Sequence, residues 1–309
     1  MGGGGGNRYT GPTPEQVLRK VDQAREKERE RLNKQVNDLL ESLLARFNDR
    51  DTAEVSERLE RISELLGEVA ELDTLLLGGS VAKHTAVNGL SDVDALVILD
   101  RDKVASDSPE SLIDSFHDLL WDKLPRSQVE EVDKGRMAVT VRYLDTQEIQ
   151  LLPALRSGQT ISIAGPDGKS WHDTKPRLFQ RALTSANAAS NQALVPTIKL
   201  VKSIVGDLPP QKQLTGYHIE SLAVDAAKNY DGVKIPRALL LHVLGHSASR
   251  VLRPIADVTG QSRTVDAYLG DADSTRRRNI SQALSGVKRR LETAATLGQW
   301  RAVLSLPEG

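Results

Sequence analysis

Residues 75–100 read LLLGGSVAKHTAVNGLSDVDALVILD, and the two aspartates in this stretch decide how the chain is understood. Leu75–Leu77 close one apolar segment, Gly78-Gly79-Ser80 interrupt it, and Asp92 and Asp94 open a second apolar segment ending at Leu99. Carboxylates two residues apart on a strand point to one face. Two like charges held that close repel unless a cation lies between them. Such oxygen donors suit Mg2+ or Mn2+, which also bind substrate phosphates. A strand end with both acids facing solvent would read the same way. The glycines weigh against it, because a Gly-Gly-Ser turn after a strand lets a phosphate approach backbone N–H groups, above all where a helix begins. Lys83 adds positive charge nearby, and eleven residues separate Ser80 from Asp92.

Outward from this stretch, the spacing predicts a disordered Gly-rich tail over 1–12 and N-terminal helices over 13–70. Thr13 is an expected N-cap, with Pro14 at the first helical position and Gln16 completing a capping box. A long amphipathic helix follows over 14–49, and a second over 53–70. Their apolar stripes fit packing on a core or, less simply, oligomerisation through a coiled coil. A core is expected over 71–175, with strands at 74–77, 93–99, 136–143 and 148–152 and a helix at 108–124. From 176 to 309 the pattern is helical, with segments near 176–188, 194–205, 216–230, 236–250 and 273–297. The expected fold class is therefore α+β: a small mixed sheet with helices, a helical C-terminal lobe and a long N-terminal helix.

Composition narrows the chemistry. The 309 residues carry a net charge of -1, so bulk charge makes no case for nucleic acid or a membrane surface. There is no cysteine, which excludes disulfides, thiolate zinc sites and a cysteine nucleophile. No apolar run approaches the ~18 residues of a membrane span. The segment MGGGGGNRYTGP has no signal-peptide character, and the expected location is the cytoplasm.

The pattern apolar-Gly-Gly-Ser, spacer, Asp-x-Asp resembles the signature of the DNA polymerase β-like nucleotidyltransferases. Within that superfamily it is most similar to the bacterial cGAS/DncV-like nucleotidyltransferases (CD-NTases) and the oligoadenylate synthetases. LLPAL (151–155), TIKLVKSI (197–204), LTGYHIESLAVDAA (214–227) and RPIADVTGQSRTVDAYLG (253–270) resemble later family segments, so the likeness covers about residues 70–300. It implies a polymerase β-like core with a helical nucleotide-binding lobe. It also implies template-independent nucleotidyl transfer from a Mg2+-bound NTP or dNTP. The product would be an oligonucleotide or cyclic second messenger in bacterial antiphage defence, read by an effector protein. Asp92 and Asp94 would hold two divalent ions. Gly78, Gly79, Ser80, Lys83, Lys199 and Lys202 would hold the triphosphate, and Tyr217 would stack on a base. Outside that context the lysines could be a solvated helix edge and Tyr217 a core residue.

One position departs from the family pattern. The third acid stands three residues before the Pro-Ala pair, and here that residue is Gln150. Glu148 lies two residues earlier, on the same strand face. Glu148 supplies the third carboxylate, Gln150 holds a looser metal, or catalysis is weakened; sequence leaves the three open. Two other functions also stay open: transfer to a protein, to self or to RNA, and non-catalytic nucleotide binding. A self-acceptor hydroxyl would come from Tyr9 or Thr10, carried on the Gly-rich tail.

Overall fold

The computed structural model describes residues 13–49, 52–68, 72–88, 92–102, 104, 108–158, 160–165, 167–260 and 262–307. The expectation of disorder for 1–12, and the residues Tyr9 and Thr10, lie outside them.

A mixed seven-stranded sheet forms the centre of the first half. Its strands are β1 (Leu72–Leu77), β2 (Val93–Asp100), β3 (Val129–Lys134), β4 (Val139–Tyr143), β5 (Glu148–Ser157), β6 (Thr160–Ala164) and β7 (Trp171–Thr174). The order β1-β2-β5-β4-β3 continues through β6, on β5, to β7. Only β2 and β5 run parallel. Pro153 sits where β4 has stopped pairing, at Leu151, and β6 has not begun, at Ala154. A residue without an N–H is tolerated in that gap.

Alternation sorts the two faces. Val93, Ala95, Val97 and Leu99 of β2 join Ile149, Leu151 and Leu155 of β5 in one core. That core is capped by α2 (Thr52–Leu66) and α4 (Pro109–Lys123). Asp94, Leu96 and Ile98 therefore face the other way, with Gln150, Leu152 and Ala154. Between β1 and β2 runs α3 (Gly79–Ala82).

The second half is a helical lobe of α5 (Pro176–Ala189), α6 (Leu194–Gly206), α7 (Gly216–Ala227), α8 (Pro236–Arg250), α9 (Thr275–Thr293) and α10 (Leu297–Val303). The long helix α1 (Pro14–Asn48) starts at the expected capping box, in which the Gln16 N–H donates to Thr13 Oγ1 at 3.3 Å and the Thr13 N–H donates to Gln16 Oε1 at 2.9 Å. Val36, Leu40 and Leu43 of α1 are buried in the core of the helical lobe, whereas α2 belongs to the sheet core. The two N-terminal helices thus serve different cores. No described helix is long and apolar enough to cross a membrane.

Candidate active site

The turn after β1 wraps tightly around one carboxylate. The Gly78 N–H donates to the Asp94 backbone carbonyl at 2.7 Å. Gly79 adopts φ +52, and a Cβ built on it would fall 1.5 Å from Asp94 Oδ2. Only glycine fits there, on both backbone and steric grounds. Ser80 follows in the first turn of α3, and its carbonyl accepts from the Thr85 and Ala86 N–H groups at 2.9 and 3.1 Å. Asp92, exposed, stands immediately before β2, and Asp94 is its second residue. Burial first, then the neighbouring Asp92, raise the Asp94 carboxyl above its usual range, while Lys83 and Lys202 pull it back.

Behind the aspartates lies a buried charge cluster. Lys202 Nζ donates to Glu220 Oε1 at 2.8 Å and to the Thr85 carbonyl at 3.1 Å. Lys83 binds the other oxygen of the same carboxylate, and the Thr85 hydroxyl also donates to Glu220. Burial alone would raise the Glu220 carboxyl, but the two lysines outweigh it and hold it below the usual range. Burial lowers the Lys202 amine. Two ammonium groups share one carboxylate, leaving an excess positive charge beside Asp94.

Lys199 goes elsewhere. Its ammonium donates to Asn48 Oδ1 at the end of α1, so the two lysines expected to act together have separate partners. Helical spacing of three offsets them by about 60°, enough for one to enter the core and the other to reach α1. Tyr217 edges against Phe179, with ring centroids 4.8 Å apart, and its hydroxyl donates to Asp257 Oδ1 at 2.8 Å. Asp257 also accepts from Thr259 and Ser262 side chains and N–H groups. Gly78, Gly79, Lys83, Asp94 and Tyr217 line one cavity of about 480 Å³, whose floor includes Leu96 and Leu152.

Parallel register puts Gln150 opposite Asp94, on the same sheet face. Glu148 is engaged by Arg142, whose Nε donates to it at 2.7 Å and which also binds Glu131. Among the described residues no group of three or more His, Cys, Asp or Glu is placed to hold a metal. The donor set that remains, two carboxylates and the amide oxygen of Gln150, consists of oxygen atoms and fits a hard divalent cation. The repulsion between Asp92 and Asp94 is what a cation would relieve.

The sequence reading gave no role to Glu220, Thr85, Phe179 or Asp257. Glu220 is detectable as an acid on an apolar helix. Asp257 is detectable as the head of an Asp-x-Thr turn pattern. Arg277, within a run of three arginines, is buried against Asp266 at 2.7 Å. His218 is buried, with Nδ1 3.0 Å from the Tyr268 hydroxyl.

Solved structures share this fold. E. coli MS115-1 CdnC with ATP superposes with a TM-score of 0.63 at 17% identity, covering 82% of this chain and 91% of that one. Bradyrhizobium diazoefficiens CdnG in complex with GTP gives 0.60 at 14%, with 82% and 91% covered. Vibrio cholerae DncV cyclic AMP-GMP synthase, a prokaryotic cGAS homolog, gives 0.60 at 12%, with 94% and 91% covered. The fold is thus that of the CD-NTases, a polymerase β-like core with a helical lobe. Residues 30–187, half of the chain, match the Second Messenger Oligonucleotide or Dinucleotide Synthetase (SMODS) domain, and the chain belongs to that family. No curated protein matches it in sequence.

Proposed function

We propose that this protein is a template-independent nucleotidyltransferase that joins nucleotides from NTP or dNTP into an oligonucleotide or cyclic second messenger. The observation that supports this best is the close approach of Gly79 to Asp94, which sets the Gly-Gly-Ser turn directly against a buried carboxylate. Asp92 and Asp94, with Gln150 beside them, would hold Mg2+ or Mn2+, two ions in the proposed scheme. Such ions, when bound, lower the pKa of an attacking hydroxyl and neutralise a leaving pyrophosphate.

The chain's own groups do the rest. Backbone N–H groups of the first turn of α3, unpaired within the helix, face the donor's β- and γ-phosphates with Ser80. Lys83 leaves its share of Glu220 to reach the triphosphate, and Lys202 keeps Glu220 ionised and in place. Lys199 contributes from the edge of the lobe if it releases Asn48. Tyr217, held by Asp257, offers a stacking face for a base. Phe179, Leu96 and Leu152 exclude water from the cleft. Antiphage signalling in the cytoplasm, through an effector protein that reads the product, is the biological setting of this proposal.

The test is incubation with each labelled NTP and dNTP plus Mg2+ or Mn2+, followed by nuclease and protease digestion. Free oligomers or cycles are expected, and Asp92→Asn with Asp94→Asn should abolish them. Label on protein or RNA would replace this reading with transfer to a macromolecule. Transfer undiminished in the double variant would overturn the assignment of the aspartates.

A further inference from the structure

A second cavity, of about 450 Å³, adjoins the active-site cleft at the far end of the sheet. Arg156, Lys175, Arg177 and Arg181 line it, and among the described residues no acid does. The two cavities share Ile161, Thr174 and Arg177, so they form one groove. Arg156 follows Gln150 by six residues on β5 and lies on the same face, roughly 20 Å away at the usual strand rise. Between the two ends the floor is apolar: Leu96, Leu152, Ile161 and Ile163. The groove therefore runs from two aspartates, across an apolar strip, to a cluster of cations.

Three of these four cations are uncompensated among the described residues. Arg156 pairs with Asp73 at 2.5 Å. The side chains of Lys175, Arg177 and Arg181 have neither ion pair nor hydrogen bond among the described residues. Their segment explains why: between Thr174 and Gly206 the chain has five lysines and arginines and no Asp or Glu. Over the whole chain the two signs nearly balance, 41 basic against 42 acidic. Facing cations raise local anion concentration in a cleft with low-dielectric walls. Arginine pairs are suited to the oxygens of a phosphate.

We infer that Lys175, Arg177 and Arg181 bind the 5′-phosphate chain of the acceptor, the nucleotide or linear oligonucleotide whose hydroxyl attacks. This rests on the nucleotidyltransferase reading above. In the transfer, the acceptor oxygen bonds to the donor α-phosphorus and the bond from that phosphorus to the β-phosphate oxygen breaks. Pyrophosphate leaves with the electron pair, and the hydroxyl proton passes to solvent. In this coupling step the acceptor's own phosphates are not consumed; only closure of a ring would bring them to the aspartates. They must rest away from both the donor triphosphate and the aspartates, and the opposite end of the groove provides that place. The span exceeds a nucleoside monophosphate and suits a 5′-phosphorylated linear dinucleotide.

The experiment compares linear diadenylate and diguanylate, each with a 5′-triphosphate or a 5′-hydroxyl. Binding to the full chain is titrated directly in Mg2+ with a non-hydrolysable NTP analogue filling the donor pocket. The wild type should bind the better-fitting triphosphate form at least ~10-fold more tightly than its hydroxyl form. Arg177→Ala with Arg181→Ala should erase that difference while changing affinity for the hydroxyl form less than about twofold. Arg289→Ala with Arg290→Ala, on another basic face, should keep it and so exclude a general charge effect. Equal binding of both forms by the wild type, binding of neither, or a preference surviving in the Arg177/Arg181 variant would overturn the inference. The proposed function fails separately, by absence of transfer from every NTP and dNTP, while the binding difference is still read.

Discussion

Gly79 and Asp94 occupy the same space up to the limit a side chain allows: a Cβ on Gly79 would meet Asp94 Oδ2 at 1.5 Å, whereas one on Gly78 comes no closer than 3.6 Å to Asp94. Gly79→Ala should therefore displace the carboxylate and cut turnover by at least ~100-fold, with a backbone cost of roughly 1–2 kcal/mol. Gly78→Ala should be mild. Turnover and melting temperature of the two variants check this contrast. Equal loss in both would mean that the turn acts only through chain flexibility.

Asp94 is ionised at a cost to folding. Its carboxyl is raised above 3.8 by burial and by Asp92. An acid with a raised folded pKa penalises the native state above that pKa and no longer does so below the unfolded value. Asp94→Asn should accordingly raise metal-free stability at neutral pH, and the gain should vanish as pH falls below about 4. Chemical denaturation across pH measures it.

Gln150 and Glu148 separate by their surroundings. Gln150→Asp should restore a third acid next to Asp94, tighten Mg2+ binding and relax a preference for Mn2+. Glu148→Gln should act on the Arg142 contacts and leave the metal dependence of turnover unchanged. A collapse of Mg2+ dependence in the Glu148 variant would identify Glu148 as a ligand after all.

Glu220→Gln should leave Lys83 and Lys202 without the carboxylate they pair with. Breaking such a buried pair costs about 3–5 kcal/mol. Because Glu220 titrates below its usual 4.5, its stabilisation is present above that value and is lost as pH falls through the folded pKa. The variant should be less stable at neutral pH and lack that acid loss. Lys202→Met combined with Glu220→Leu should recover part of the stability but not the turnover.

Tyr217→Ala should raise the KM for the nucleotide roughly tenfold or more, since an aromatic stack contributes about 1–3 kcal/mol. Tyr217→Phe keeps the ring and loses only the bond to Asp257, so its KM should rise less. Steady-state kinetics with one NTP varied would separate ring from hydroxyl.

What the chain alone determined is local. The Gly-Gly-Ser turn, the alternation along β2, the capping box of α1 and most helices follow from dihedral preference and periodicity, which neighbouring residues set. Periodicity says that a face is buried, not against what: α1 and α2 read alike, yet one joins the helical lobe and the other the sheet. β3 escaped because a bulge between Val129 and Glu131 breaks its alternation, leaving Val129 and Val132 buried three apart. β7, Trp171–Thr174, is short and polar and exists only through its ladder to β6. Register across β2 and β5 set Gln150 beside Asp94, and packing of α7 on α6 delivered Glu220 to Lys202. These pairings join residues far apart in the chain, so their energies are gained only once the tertiary structure has closed the loops between them.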